Sequence, residues 1–321
     1  MRQLALAAIL AAAGCAGDAD DMRGAWTVDH TVEGGALVSV WGSAPDDVWA
    51  AGGTEGRGMV LHGDGQSWTE VDTGAPAMLW WVYGFTADDV YAVGEHGLIL
   101  HYDGSSWQRA ESGTDRTLYG VWGASGDDVW IAGGDPTVDG GAVVLRGHGT
   151  SFRAMQVPPE LAPDALFKAY GFAADDVMIV GTGGAVLRWN GSSWRLDPAV
   201  TGEPLFSLWG RGKDDVYAVG GWSSGTVLHL DGDGWSQVED QAGTGLSGVF
   251  TSDDNPTIAV GRDAYVLEIY PDGSEIEPAL PALEAGTSFH GVWGDQAGTT
   301  YAVGGDLASV APGRGVILRR Q

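Results

Sequence analysis

Apolar residues along this chain fall in short runs of four to six, and the runs recur in groups of four. Between Leu79 and Ala110 they are Leu79–Tyr83, Val90–Val93, Leu98–Tyr102 and Trp107–Ala110. Glycine and aspartate separate them, at Gly84, Asp88-Asp89, Gly94 to Gly97 and Asp103-Gly104. Runs of this length, rich in Val, Trp and Tyr and bounded by such residues, read as strands. Their near-continuous hydrophobicity predicts sheets covered on both faces.

The group of four is itself repeated. An aromatic anchor in its first run recurs at Trp41, Tyr83, Trp122, Tyr170, Trp209, Phe250 and Trp293, with spacings of 42, 39, 48, 39, 41 and 43 residues. A fixed period near forty marks units whose cores form only when neighbours stack. Seven units of four strands predict an all-β, seven-bladed β-propeller over residues 24–321. Copies one to five have a fourth strand opening at Trp68, Trp107, Phe152, Trp194 and Trp235, and the sixth has a weaker one near Ile276. The seventh stops at Val316–Arg319 without one, while Gly24–Val28 precedes the first copy as an orphan resembling Ser67–Val71. The N-terminal strand is therefore expected to complete the last blade and cover its bare edge.

Residues 1–14 fall outside the repeats. Arg2 precedes a ten-residue apolar stretch, Leu4 to Ala13, which is too short to span a bilayer and reads as a secretory signal. Ala12-Ala13-Gly14-Cys15 resembles a bacterial lipobox and implies acylation of Cys15, with residues 15–23 as tether. The expected location is a bacterial cell envelope, at the outer membrane, with membrane contact through the lipid alone. A single cysteine excludes an intrachain disulfide. The formal charge of −27 would repel nucleic acid, whose phosphates need clustered Lys and Arg. Such charge fits a soluble monomer outside the cytoplasm.

Turns of the form Asp-Gly-x-(Ser/Gly)-Trp recur at Asp64–Trp68, Asp103–Trp107 and Asp231–Trp235, with Asn190–Trp194 as an amide variant. They resemble the Asp-box turn of sialidase-type propellers, with one residue fewer between aspartate and tryptophan. The whole unit is similar to repeats of photosystem II assembly factors and of secreted bacterial Asp-box proteins. Physically, the carboxylate caps backbone N–H groups while Gly takes positive φ. Six Asp-Asp pairs, such as Asp46-Asp47 and Asp88-Asp89, read as turns opening second strands; spread around a ring, they supply neither a calcium cage nor a catalytic dyad. His62, His101 and His229 share one repeat position on third strands and are not expected to converge on a metal. No cofactor or metal site is expected. The arginine triad and glutamate-tyrosine pair that the sialidase resemblance would require have no match here.

Function should lie where the copies disagree. The opening position of the first strand varies: Val38, Trp80, Tyr119, Phe167, Phe206, Ser247 and His290. So do the loops from second to third strands, which bring Arg57, His96, Asp135, Asp139, Trp222, Arg262, Asp263, Asp306 and Arg314 to the same face. Trp80, Tyr119, Lys168, Trp222, Arg262 and His290 are the candidate ligand-binding residues, since aromatics with scattered polar groups suit a peptide or sugar. The same aromatics could instead plug the channel. The expected function is non-enzymatic binding of a protein or glycan partner. A hydrolase or lyase at the channel mouth, or an assembly factor of the photosystem II type, is the alternative.

Overall fold

The computed structural model describes residues 24–238, 243–253, 255–270, 273, 275–295, 298–307 and 313–321. The expected signal segment, Cys15 and its tether lie outside the described residues. No helix among those described is long and apolar enough to cross a membrane.

The strands form seven four-stranded antiparallel sheets; six follow chain order from the innermost strand outward, and the seventh takes the N-terminal strand as its outermost member. Blade 2 shows the pattern: Leu79–Thr86, Asp89–Gly94, Ile99–Tyr102 and Trp107–Ala110. Second strands are buried almost throughout, as in Asp89–Gly94 and Asp215–Gly220, because a sheet packs against each face. This accounts for the unbroken apolar runs in the sequence.

Neighbouring blades interlock through the anchor rings. A Cβ at Gly42 would come within 2.7 Å of Trp293, one at Gly84 within 2.6 Å of Trp41, and one at Gly171 within 3.0 Å of Trp122. The residue after the anchor is thus glycine because the preceding blade's indole lies on its backbone. Tyr83 and Tyr170 are smaller anchors, and Phe85 and Phe172 supply the missing ring. Phe85 stands 2.6 Å from a Cβ at Gly123, and Phe172 stands 3.1 Å from one at Gly210. Six of the seven interfaces therefore keep an aromatic ring against glycine; in blade 6 the residue after Phe250 is Thr251.

The outer parts of the blades carry a second repeated device. His62, His101 and His229 on third strands bond Asp47, Asp89 and Asp215 at 2.7, 2.8 and 2.9 Å, and Arg146 pairs with Asp128. The same imidazoles stack on second-strand aromatics, with Tyr91–His101 and Tyr217–His229 both at 4.3 Å between centroids. The second aspartate of these pairs is therefore a cross-strand acceptor, a more specific role than opening a turn. The turns at Asp64, Asp103 and Asn190 cap as expected, while at Asp231 the carboxylate accepts from the Asp233 N–H, and Gly234, not Gly232, takes positive φ. Asp64 Oδ1 accepts from the Gln66 and Ser67 N–H groups at 2.9 and 2.7 Å, and Gly65 has φ +81°.

Ring closure follows the expected scheme, with the pairing strand shifted along the chain. Thr27–Glu33 pairs antiparallel with Arg314–Arg320, from Thr27 opposite Arg319 to Glu33 opposite Arg314. Trp26, which the sequence placed in the strand, instead precedes it and is buried at 3% exposure. Its ring lies 4.9 Å beneath the Arg320 guanidinium, which forms a buried ion pair with Glu268 of blade 6. Arg314 bonds Glu33 at 2.7 Å, and Trp68 Nε1 of blade 1 donates to Asp29 at 2.6 Å. The N-terminal segment thus contacts blades 1 and 7 directly and is linked to blade 6 through Arg320.

Candidate functional site

Every innermost strand carries a bulge at the same place. The register against the second strand shifts between Leu37 and Ser39, Leu79 and Trp81, Leu118 and Gly120, and Leu166 and Lys168. It shifts again between Leu205 and Ser207, Leu246 and Gly248, and Phe289 and Gly291. The extra residues are Val38, Trp80, Tyr119, Phe167, Phe206, Ser247 and His290, the seven variable opening positions. A bulge leaves its residue out of the ladder and re-aims the side chain. Here all seven are re-aimed into one cavity of about 690 Å³ at the channel mouth.

The cavity has two unlike halves. Trp80, Tyr119, Phe167, Phe206 and Trp222 form a continuous arc, with successive centroids 5.7, 5.1, 5.1 and 4.9 Å apart. Edge-to-face and tilted packing holds such rings by quadrupole attraction. Trp222, on the second loop of blade 5, stays 58% exposed and closes the arc toward solvent. The other half is polar and includes Ser247, Arg262, Asp263, His290 and Asp306. Arg262 joins the halves, donating from Nη1 to the Trp222 carbonyl at 2.9 Å. Asp263 and Ala264 both hold left-handed backbone, φ +57° and +55°, which few non-glycine residues adopt. Thr244 Oγ1 donates to Asp263 at 3.2 Å.

Among the described residues, two polar groups at this mouth are buried without a partner: Trp80 Nε1 and His290 Nε2. Burial and the nearby Arg262 charge push His290 down to about 4, so it is neutral near pH 7. Five of the six residues singled out from sequence, Trp80, Tyr119, Trp222, Arg262 and His290, therefore meet in one cavity. Lys168 does not line it. One residue past the bulge, it lies buried in the channel beneath, at 0% exposure. Its Nζ sits 3.3 Å over the Trp81 ring and 5.5 Å from that of Trp209, with no hydrogen-bond partner. Burial holds its pKa well below the usual lysine range. Of the variable loop residues, Arg57 pairs with Glu70, Asp135 with Arg116 and Arg314 with Glu33 and Glu284, all outside the cavity lining. Nothing in the local sequence signals the bulges, but the variability at their positions marks them. Among the described residues, no three His, Cys, Asp or Glu side chains are grouped to hold a metal ion.

Fold and cavity together define a seven-bladed propeller with one built mouth. The sequence matches no protein-family profile and no curated protein. Among solved structures, the chain is similar to YCF48 from Cyanidioschyzon merolae, at 15% identity and TM-score 0.65, over 92% of this chain and 98% of that one. It is similar to a streptogramin B lyase at 12% identity and TM-score 0.69, over 94% and 98%. A structure of YCF48 bound to a D1 peptide aligns at 13% identity and TM-score 0.62, over 90% and 94%. At such identities the likeness establishes the propeller fold and nothing about chemistry.

Lys168 generates a prediction about stability. A lysine whose pKa burial lowers is protonated more readily in the unfolded chain. It therefore opposes folding at every pH below the unfolded value of about 10.4, increasingly so down to its folded pKa. Lys168→Met should fill the same space without an unpartnered donor. It should raise stability at pH 7 by about 1–3 kcal/mol, the usual cost of an unsatisfied buried group. Denaturant titration measures this, and a loss of stability would mean that the amine has a partner in the channel.

Proposed function

We propose that this chain is a lipid-anchored, envelope-facing propeller that performs no catalysis and binds a protein or glycan partner at the channel mouth. The observation that carries the reading is the bulge ring. The scaffold repeats seven times, yet the one residue per blade that it aims into the mouth is of six different types, phenylalanine alone occurring twice, at Phe167 and Phe206. Four aromatics, a serine, a histidine and a valine at equivalent positions suit one asymmetric ligand. The cavity's size and its few convergent polar groups are those of a binding site. A propeller of the same fold with a bound D1 peptide supports a peptide-bearing partner.

A lyase or hydrolase reading draws on the lyase neighbour and on His290, the neutral imidazole in the cavity. A general base works best with a pKa near the working pH and a partner that orients it. His290 titrates near 4 and its Nε2 is unpartnered, which favours binding over proton transfer.

The envelope address rests on Cys15, and Cys15→Ser should move the protein from detergent-extracted membrane to the soluble fraction. Full membrane retention would contradict the anchor. The binding face is tested by capture of partners from envelope extract on the domain spanning residues 24–321. Trp222→Ala should weaken capture about tenfold or more while changing stability by less than about 1 kcal/mol, as loss of an exposed aromatic anchor does. Trp107→Ala removes a ring packed 5.6 Å from Trp49 and 5.4 Å from Tyr102, and should destabilise by roughly 3 kcal/mol. Capture undiminished by Trp222→Ala, or unfolding equal to that of Trp107→Ala, would remove the mouth as the binding face.

A further inference from the structure

The charge around the mouth narrows the ligand. We infer that the aromatic arc is a cage for a cationic side chain, lysine or arginine, presented by a basic segment of a protein partner. This deepens the binding role proposed above and rests on it. Aromatic faces attract cations through the ring quadrupole, with tryptophan the strongest. Two of the five rings are tryptophans, and Trp222 stands open to solvent at the rim.

Carboxylates surround the arc. Asp263 and Asp306 line the cavity beside the arc, Asp263 following the Arg262 that bonds the Trp222 carbonyl. On the aromatic side, the charge of Glu95 acts on the Tyr119 hydroxyl together with that of Asp135, which itself pairs with Arg116. The positive groups nearby are largely answered: Arg57, Arg116 and Arg314 each pair with carboxylates. Among the described residues, Arg262 is the one cation in the lining. Its Nη1 is held by the Trp222 carbonyl, and it is outnumbered by Asp263 and Asp306. His290 adds no charge near pH 7. The lining is thus net negative within a chain of net charge −27. An anionic ligand would meet this field unfavourably, and a neutral sugar would use the rings but not the charge. A basic segment uses both, and long-range attraction would speed its encounter.

The arrangement assigns distinct tasks. Trp80, Phe206 and Trp222 supply ring faces, Asp263 supplies the counter-charge, and Arg262 fixes the Trp222 loop by its carbonyl contact.

The test titrates the folded domain with a capped glycine-alanine decapeptide carrying two arginines, and with the same peptide carrying citrulline. Binding is followed by tryptophan fluorescence at two salt concentrations. The arginine peptide should bind at least about tenfold more tightly than the citrulline peptide, and more weakly as salt rises. Trp222→Ala and Asp263→Asn should each weaken it severalfold. Asparagine tolerates the left-handed backbone at position 263, so the second variant removes charge without disturbing the loop. Equal, salt-independent binding of both peptides overturns the cation cage but leaves the mouth a peptide site. Binding of a neutral hexasaccharide in preference to the arginine peptide likewise overturns the cage and leaves the mouth a glycan site. No binding of the arginine peptide at millimolar concentration contradicts the cage outright. If partner capture from extract also survives Trp222→Ala, the binding face itself fails.

Discussion

The antiparallel pairing of Thr27–Glu33 with Arg314–Arg320 closes the ring, and the rest of the molecule depends on it. Six blades obtain all four strands from one continuous stretch, whereas the seventh joins the two ends of the described domain. An open ring would leave the Arg314–Arg320 edge bare and uncouple blade 1 from blade 7, and bare edges recruit other chains. The closure is reinforced at several depths. Trp26 is buried under Arg320, Arg320 reaches Glu268 in blade 6, and Asp29 reaches Trp68 in blade 1.

Closure also makes the mouth. Seven bulges converge on one cavity only if all seven innermost strands face a common axis, and Val38 and His290 flank the closing interface. The scaffold spends its repeated residues on packing: anchor rings over glycines, third-strand histidines and arginines on second-strand aspartates. The bulge positions carry none of those duties and are free to vary. This division explains how a chain of seven similar units presents one lopsided site, with aromatic residues on blades 2 to 5 and polar residues on blades 6 and 7.

The fold was legible because strand length, turn residues and the forty-residue period are local properties of the chain. So was the opening position of each first strand, since it is the one place where otherwise similar copies diverge. The bulges were not legible, because a register shift is a relation between two strands and leaves no local mark. That is also why Lys168 was grouped with the mouth: along a strand, one residue's displacement turns a side chain from the cavity into the channel. The acceptor role of Asp47, Asp89 and Asp215 was hidden for a similar reason, since their histidine partners lie twelve to fifteen residues away on the third strand. Trp26 was assigned to the closing strand by likeness to Trp68, but the pairing begins one residue later because the indole is buried beneath Arg320.

The most direct measurement compares the domain beginning at residue 24 with one beginning at residue 34, by thermal melting and by sedimentation at several concentrations. The shorter chain loses the closing strand and the Trp26 contacts but keeps every residue of the cavity. The expected result is a lower melting temperature together with association that grows with concentration, as the exposed edge of blade 7 pairs between molecules. A shortened domain that melts like the parent and stays monomeric would show that the ring does not depend on this strand.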